Sequence, residues 1–366
     1  MKTAIVYDWI DKWGGVERVL LTLAEMFPKA DWYTSYFDPQ AAPWARKLNI
    51  KTSFIQALPD FIKKNRVLSI PFYPYAFESF NFSNYDLVIS VSSSFAKAVI
   101  TKPSTTHICY MLTPTRYFWT DTETYLNSPL KKLGKVRLEK YKEWDSVAAQ
   151  RPDRIISISE TVRERVKKYY KRESKIIYPP FDIEYWKKIR PSKQFQKHKY
   201  FLVVSRLEPY KKIELVVRAF NDLNLPLIVV GKGTEREKLE REANKNTTLI
   251  SDVSDEELAQ LYINADALIM PQEEEFGYVS LEAQFFGCPV ISYTKGGASE
   301  TVIANKTGIF FTEQTEKSLL DAVARFKVIE YNLRNSTREY GKTNVERFSK
   351  MTFEKIFKDF VAEKLS

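Results

Sequence analysis

Two carboxylates stand eight residues apart in Glu273-Glu274-Glu275-Phe276-Gly277-Tyr278-Val279-Ser280-Leu281-Glu282-Ala283. That separation is about two helical turns, so Glu274 and Glu282 share a face if a helix begins near Gly277. Glycine at such a turn lets the backbone come close to a ligand, and the amides of Phe276 to Tyr278 become donors for an anion or a sugar hydroxyl. A second grouping is Ser205-Arg206-Leu207-Glu208-Pro209-Tyr210-Lys211-Lys212. Arginine offers a planar fork and lysine a point charge, and together Arg206 and Lys211 suit the clamping of a diphosphate leaving group. Gly231-Lys232-Gly233 and Gly296-Gly297-Ala298-Ser299-Glu300 are, taken singly, only turns. All four groupings follow predicted strands, where open α/β sheets bind ligands. A nucleoside-diphosphate ligand is therefore expected in this half of the chain.

The elements that must position these residues read as two α/β series. Ala4–Tyr7 is a short buried-strand run, Gly14-Gly15 a turn, and Val16 to Phe27 a helix by its apolar spacing. Strand, glycine turn and helix open a nucleotide-type unit, with the helix start aimed back at the turn. Further strands are expected at Trp32–Tyr36, Leu87–Val91, Thr106–Met111 and Arg154–Ser157. Prolines and a polar run over 179–199 read as a linker. A second series follows, with strands at Tyr200–Val204, Pro226–Val230, Thr248–Ser251, Ala267–Met270 and Pro289–Tyr293, and a helix at Glu316–Phe326. The alternation predicts parallel sheets, in two doubly wound Rossmann-like domains facing each other across a cleft.

Charge is unevenly placed along the 366 residues: the net +10 divides into +14 over residues 1–200 and −4 over 201–366. Lys63, Lys64 and Arg66 with Phe72 and Tyr73, and Lys131, Lys132 and Lys135, form basic clusters, the first rich in aromatic rings. Such clusters suit an anionic membrane surface, and equally a set of solvated helix faces over aromatic core residues. No nucleic-acid motif accompanies them, so nucleic acid is not expected as a partner. Cys109, Cys288, His107 and His198 are too few for a disulfide framework or a Cys/His zinc site, and fit a reducing cytoplasm. Asp8 interrupts the first apolar run before a signal core develops, and no uncharged run approaches the roughly 18 residues of a spanning helix. Any membrane contact is expected at the surface.

These residues resemble the retaining glycosyltransferases of family 4, which have the GT-B fold. The resemblance is carried by Arg206 with Lys211, Glu274 and Glu282 about Phe276-Gly277, and Gly287-Cys288-Pro289-Val290. It extends to Gly296-Gly297-Ala298-Ser299-Glu300-Thr301-Val302, Gly14-Gly15-Val16-Glu17-Arg18, Tyr178-Pro179-Pro180 and Thr307-Gly308-Ile309-Phe310-Phe311, nearly the whole chain. Trp144-Asp145 and Thr113-Pro114-Thr115-Arg116-Tyr117 are similar to a mannosyltransferase-like branch that builds bacterial surface polysaccharides, lipopolysaccharide O-antigen among them.

The resemblance implies an acceptor domain at 1–190, a donor domain at 191–345, and a last helix at 346–366 packing back on the first. It implies that Arg206 and Lys211 stabilise the leaving diphosphate, that Glu282 holds the ribose, and that Glu274 holds a hydroxyl of the donor sugar. Gly14, Gly15, Ser205, Gly231, Gly233, Phe276, Gly277, Tyr278 and Val279 complete the donor set, and Thr113, Arg116 and Tyr117 the acceptor set. It further implies a retaining hexosyl transfer without metal or cofactor, from GDP-mannose by the branch it resembles, with UDP-hexoses and deoxysugar nucleotides as alternatives. The acceptor implied is a glycan, lipid-linked in the polysaccharide branch it resembles, with the enzyme cytoplasmic and peripheral on the anionic inner face of the cytoplasmic membrane. The chain departs from the family in Leu112, where many relatives carry histidine, in Lys212, where glycine is frequent, and in Ser251. A sugar-nucleotide epimerase on the same fold and a non-enzymatic surface adaptor are the competing readings.

Overall fold

Short apolar runs bounded by turns become parallel strands here, buried on both faces. The structure, a computed structural model, describes residues 1–120, 122, 134–192 and 199–365. Its contacts divide the chain into two units, Met1–Pro179 joined by the segment from Phe353, and Pro180–Thr352.

The first unit contains β1 (Thr3–Tyr7), β2 (Asp31–Thr34), β3 (Ile50–Thr52), β4 (Leu87–Ser92), β5 (Thr106–Met111), β6 (Arg154–Ser157) and β7 (Lys175–Ile176). They form one sheet in the order β3-β2-β1-β4-β5-β6-β7. The second unit contains β8 (Phe201–Val204), β9 (Leu227–Val230), β10 (Thr247–Ile250), β11 (Ala267–Met270), β12 (Val290–Tyr293) and β13 (Gly308–Phe311), in the order β10-β9-β8-β11-β12-β13. Every pairing is parallel. Full burial of Thr3–Tyr7, Leu87–Ser92 and Ala267–Met270 explains why apolar residues stand at consecutive positions in Ala4–Tyr7, Leu87–Ile89 and Ala267–Met270 rather than alternating with charged ones.

In each sheet the strand order reverses direction once in the middle, between β1 and β4 and between β8 and β11. The crevice beyond the carboxyl ends of such a pair is where doubly wound sheets hold ligands. Ser205–Lys211 follows β8 and Pro271–Gly277 follows β11, so the two richest groupings flank one such point.

Three strands escape the sequence reading. β3 and β7 are short sheet edges with Lys51 and Lys175 inside them, and β13 begins on a glycine. The helix expected at Glu316–Phe326 continues to Glu346, 31 residues in all. Division between the units falls at 179/180 rather than 190/191, because residues 180–190 are fixed to the second unit. Phe181 donates its amide to the Phe348 carbonyl (2.7 Å) and accepts from Lys350 (3.0 Å), while Trp186 packs against Phe286 at 5.6 Å. The last helix, Lys350–Leu365, brings Phe353 and Phe357 against Tyr110 of the first unit, at 5.8 and 6.3 Å, and Phe357 against Phe27 at 6.4 Å. Among the described residues no helix is long and apolar enough to cross a membrane.

His107 lies in β5 with no exposed surface, its Nε2 2.8 Å from Ser90 Oγ. Burial, aided by Arg151 and Arg172, pushes its imidazole from the ordinary 6.5 down to about 3. Between those values the unfolded chain binds a proton that the folded chain refuses, so stability falls as pH drops below about 6.5. We expect a loss of about 2 kcal/mol from this residue at pH 5, at 1.36 kcal/mol per pH unit. Urea midpoints at pH 7.5 and 5.0 check it: His107→Asn should flatten the difference, and an unchanged difference would assign it elsewhere.

Candidate active site

In the second unit, β8 leads directly into Ser205 and Arg206, and a single turn, Pro209–Lys211, carries the chain toward helix Ile213–Leu223. That turn points Lys211 inward, where it is 7% exposed, and leaves Arg206 in solvent. From the end of β11, Glu274 meets Lys211 with Oε1 2.6 Å from Nζ. The same oxygen accepts a hydrogen bond from Gln272 Nε2 at 2.8 Å. Burial pushes the Glu274 carboxyl up, but the Lys211 ammonium and the Gln272 amide outweigh it and hold the group below the ordinary carboxylate range. Tyr210 is near both cations: its ring centroid is 5.8 Å from the Arg206 guanidinium and 5.3 Å from Lys211 Nζ.

Backbone contacts fix this arrangement. The Gly297 amide donates to the Glu274 carbonyl at 2.7 Å, and Glu274 forms a β-bridge with Gly296. A side chain at Gly296, where φ is +87°, would place its Cβ 2.5 Å from that carbonyl oxygen. Gly231 is held as tightly against the other loop, since a Cβ there would fall 1.8 Å from Ser205 O, and Gly233 packs on Leu207 in the same way. The glycine turns after β9 and β12 therefore act by letting the Arg206 and Glu274 loops close over them.

Gly277 caps the helix Tyr278–Phe285. Glu282, in that helix, is 3% exposed and accepts from Tyr262 OH at 3.0 Å. The Phe276 ring is buried against Tyr278 and Phe348, at 5.2 and 5.5 Å, and Tyr278 OH donates to the Pro180 carbonyl at 3.2 Å. Val279 packs into the core of the second unit. What this segment offers a ligand is thus backbone and carboxylate rather than aromatic surface. Arg206, Lys211, Glu274, Gly231, Gly233 and Gly277 come together as the spacing predicts. Gln272, Tyr210 and Tyr262 were not legible as participants; the only signal was adjacency, two of them lying within or beside the charged groupings.

Lys212 adopts φ +56°, a left-handed conformation at the N-cap of helix Ile213–Leu223. A glycine at this position would adopt that conformation without strain. Lys212→Gly is expected to raise stability by up to about 1 kcal/mol, since a non-glycine residue is strained in that region. Thermal unfolding measures it, and a lower Tm would contradict the strain.

In the first unit the β1 and β4 loops are tied together by Asp8. Its carboxylate, fully buried, accepts from the amides of Ser93, Phe95 and Ala96 (each 2.7 Å) and from Ser93 Oγ (2.8 Å). Gly14 leads into helix Gly15–Met26, whose first turn buries Glu17 at 2% exposure. Burial raises the Glu17 carboxyl, with Lys12 and nearby amides opposing.

Asp145 anchors the segment that holds the candidate acceptor residues. Its Oδ1 accepts from Lys97 Nζ (2.6 Å) and Thr115 Oγ1 (2.8 Å), and its Oδ2 from Trp119 Nε1 (2.8 Å) and Tyr170 OH (2.7 Å). Lys97 and Asp145 have no exposed side-chain surface. Beside them Thr113 is 5% exposed with an unpaired buried hydroxyl, and Arg116 and Tyr117 are half-buried.

Several residues expected to face a membrane do not. Tyr73 is 1% exposed and stacks on Phe95 at 4.6 Å, because helix Tyr73–Glu78 turns positions 73, 76 and 77 inward. Arg66 pairs with Asp11 and lies 3.9 Å over the Trp9 ring, and Phe72 packs on the core. Lys63 is half-buried between Asp60 (3.0 Å) and the Gln56 carbonyl (3.3 Å). Lys64 is exposed, as are Phe61, Leu68 and Tyr75 on the same short helices. Lys131 and Lys132 lie outside the described residues, and so does the side chain of Lys135 in helix Gly134–Ala148.

Two family models match the chain: Glycosyltransferase Family 4 over residues 13–185 and Glycosyl transferases group 1 over 184–344. The chain is 27% identical over 264 residues to an alpha-1,3/1,6-mannosyltransferase of Mus musculus, covering 63% of this chain and 62% of that protein. It is 32% identical over 143 residues to a GDP-mannose-dependent alpha-(1-6)-phosphatidylinositol monomannoside mannosyltransferase of Mycobacterium tuberculosis, covering 34% and 37%. The chain thus spans less than two thirds of the length of these curated relatives. Among solved structures, a sucrose-phosphate synthase from Thermosynechococcus elongatus superposes with a TM-score of 0.78 at 17% identity, over 100% of this chain and 99% of that one.

Proposed function

The chain belongs to the family 4 type of glycosyltransferase, with the GT-B fold, and on that premise we propose that it transfers mannose from GDP-mannose to a hydroxyl of a glycan acceptor with retention. The observation that carries this reading is the Lys211–Glu274 pair with Arg206 beside it, at the strand reversal of the second sheet. In this reading the bond between the sugar's anomeric carbon and the diphosphate breaks, and the acceptor oxygen bonds to that carbon. The acceptor's proton passes to the leaving phosphate. Arg206 and Lys211 neutralise the charge that develops on the diphosphate, Glu274 orients the sugar and Lys211 together, and Glu282 meets the ribose. Mannose is supported by the mannosyltransferases named above among the relatives.

A thermal-shift screen over GDP-mannose, UDP-hexoses and deoxysugar nucleotides tests the donor. A ligand at 100 times its Kd adds about 2.7 kcal/mol of stability. Stabilisation by a UDP-hexose and not by GDP-mannose would overturn the mannose assignment, and stabilisation by none would overturn transfer itself. Because two side-chain cations take the place of a divalent ion, the transfer rate should be unchanged in EDTA; its loss would contradict a metal-independent reaction.

The acceptor in this reading is lipid-linked, and the enzyme sits on the anionic cytoplasmic face of a membrane. Exposed Phe61, Leu68 and Tyr75 with Lys64 supply rings and charge for that contact. Sedimentation with phosphatidylglycerol vesicles should show binding that Phe61→Ala with Lys64→Ala weakens. Equal binding by the double variant would place the contact elsewhere.

A further inference from the structure

We propose that Trp13, in the first unit, is a stacking platform for a pyranose ring of the acceptor glycan. Of the seven tryptophans, Trp13 is the one whose indole is largely in solvent, at 58% exposure. It stands in the loop between β1 and helix Gly15–Met26, at the carboxyl end of a central strand beside the strand reversal.

The loop is fixed at each step before the indole. Asp8 is held by its four hydrogen bonds to residues 93–96. Ile10 donates to the Tyr36 carbonyl and accepts from the Asp38 amide, both at 2.9 Å. Asp11 is paired with Arg66, and the Lys12 carbonyl accepts from Trp44 Nε1 at 2.9 Å. The Trp44 ring then meets Trp13 edge-on, with centroids 6.5 Å apart. A braced indole presents a large apolar face with little conformational freedom left to lose on binding. Asp11, two residues before Trp13, keeps its buried Oδ1 without a hydrogen-bond partner. A flat apolar face on a loop that also carries an unsatisfied acceptor matches a sugar ring, which is apolar on its C–H faces and rimmed by hydroxyls. A lipid surface would ask nothing of that acceptor.

This inference rests on the glycosyl-transfer reading but is tested without the donor. Methyl α-mannoside and mannobiose, titrated while tryptophan emission is followed, should change the emission of the natural chain and leave Trp13→Leu unaffected. In transfer assays Trp13→Leu should raise the acceptor KM about 10-fold, leaving the donor KM and the nucleotide-induced Tm gain unchanged, and Trp13→Phe should recover much of the loss. The same saccharide response in Trp13→Leu would overturn the proposal. So would a Trp13 emission shift with phosphatidylglycerol vesicles and none with saccharides, which would make the indole a lipid anchor. If no nucleotide sugar shifts Tm while the saccharide response persists, the donor reading fails and the platform stands.

Discussion

Glu274→Gln is expected to lower kcat by about 10²–10³, the cost of removing one preorganised charge interaction from a transition state, while the circular dichroism spectrum stays unchanged. The amide keeps the side chain's size and an oxygen for Gln272, but Lys211 loses the anion 2.6 Å away. An ammonium only 7% exposed is then no longer held in place by its ion pair and serves less well as a counter-charge for the diphosphate. Lys211→Met should cost a similar factor, and the double variant little more than the worse single one, because the two residues act as a unit. Losses that multiply in the double variant would mean independent roles, and a Glu274→Gln rate within about threefold of the natural chain would remove Glu274 from the reaction. The pair also has a pH signature. Its carboxyl titrates below the ordinary range in the folded chain, so its contribution to stability is present above the ordinary carboxylate value and is lost as pH falls through the lowered one.

Asp145→Ala is expected to have the largest effect on stability, about 3–5 kcal/mol, because it leaves the Lys97 ammonium buried without its partner. The substitution strips four hydrogen bonds at once. Replacing both charges, as in Lys97→Met with Asp145→Leu, should recover a large part of the loss, since a buried ion pair is worth much less than either member alone costs. Urea unfolding gives the comparison. If the double replacement is as unstable as Asp145→Ala, the hydrogen bonds to Thr115, Trp119 and Tyr170 matter more than the charge. If Asp145→Ala costs under 1 kcal/mol, the network does not anchor the segment at all.

The doubly wound architecture and the second-unit site were legible because their signals are local. Apolar runs mark buried parallel strands, and Arg206, Lys211, Glu274 and the glycines each follow one directly. The short edge strands were not legible, since Ile-Lys-Thr and Lys-Ile carry no more apolar signal than a loop. The buried network was missed for a different reason. Lys97 and Asp145 are 48 residues apart, and charged residues are ordinarily read as solvated. The same prior, applied to aromatics among basic residues, put Tyr73 and Arg66 on a membrane surface, whereas Tyr73 is buried against Phe95 and Arg66 is half-buried between Trp9 and Asp11. Spacing finds residues that act from one loop; it does not find pairs whose partner arrives from another.

The last helix sets an order on biosynthesis. The first sheet is completed by residue 176, yet the rings that cover Tyr110 and Phe27 arrive with Phe353 and Phe357. At 5–20 residues per second a ribosome takes roughly 10–35 s to cross that interval. Throughout it the first unit stands with an aromatic face uncovered, a ready substrate for a chaperone, and the second unit is made in full before the first is closed.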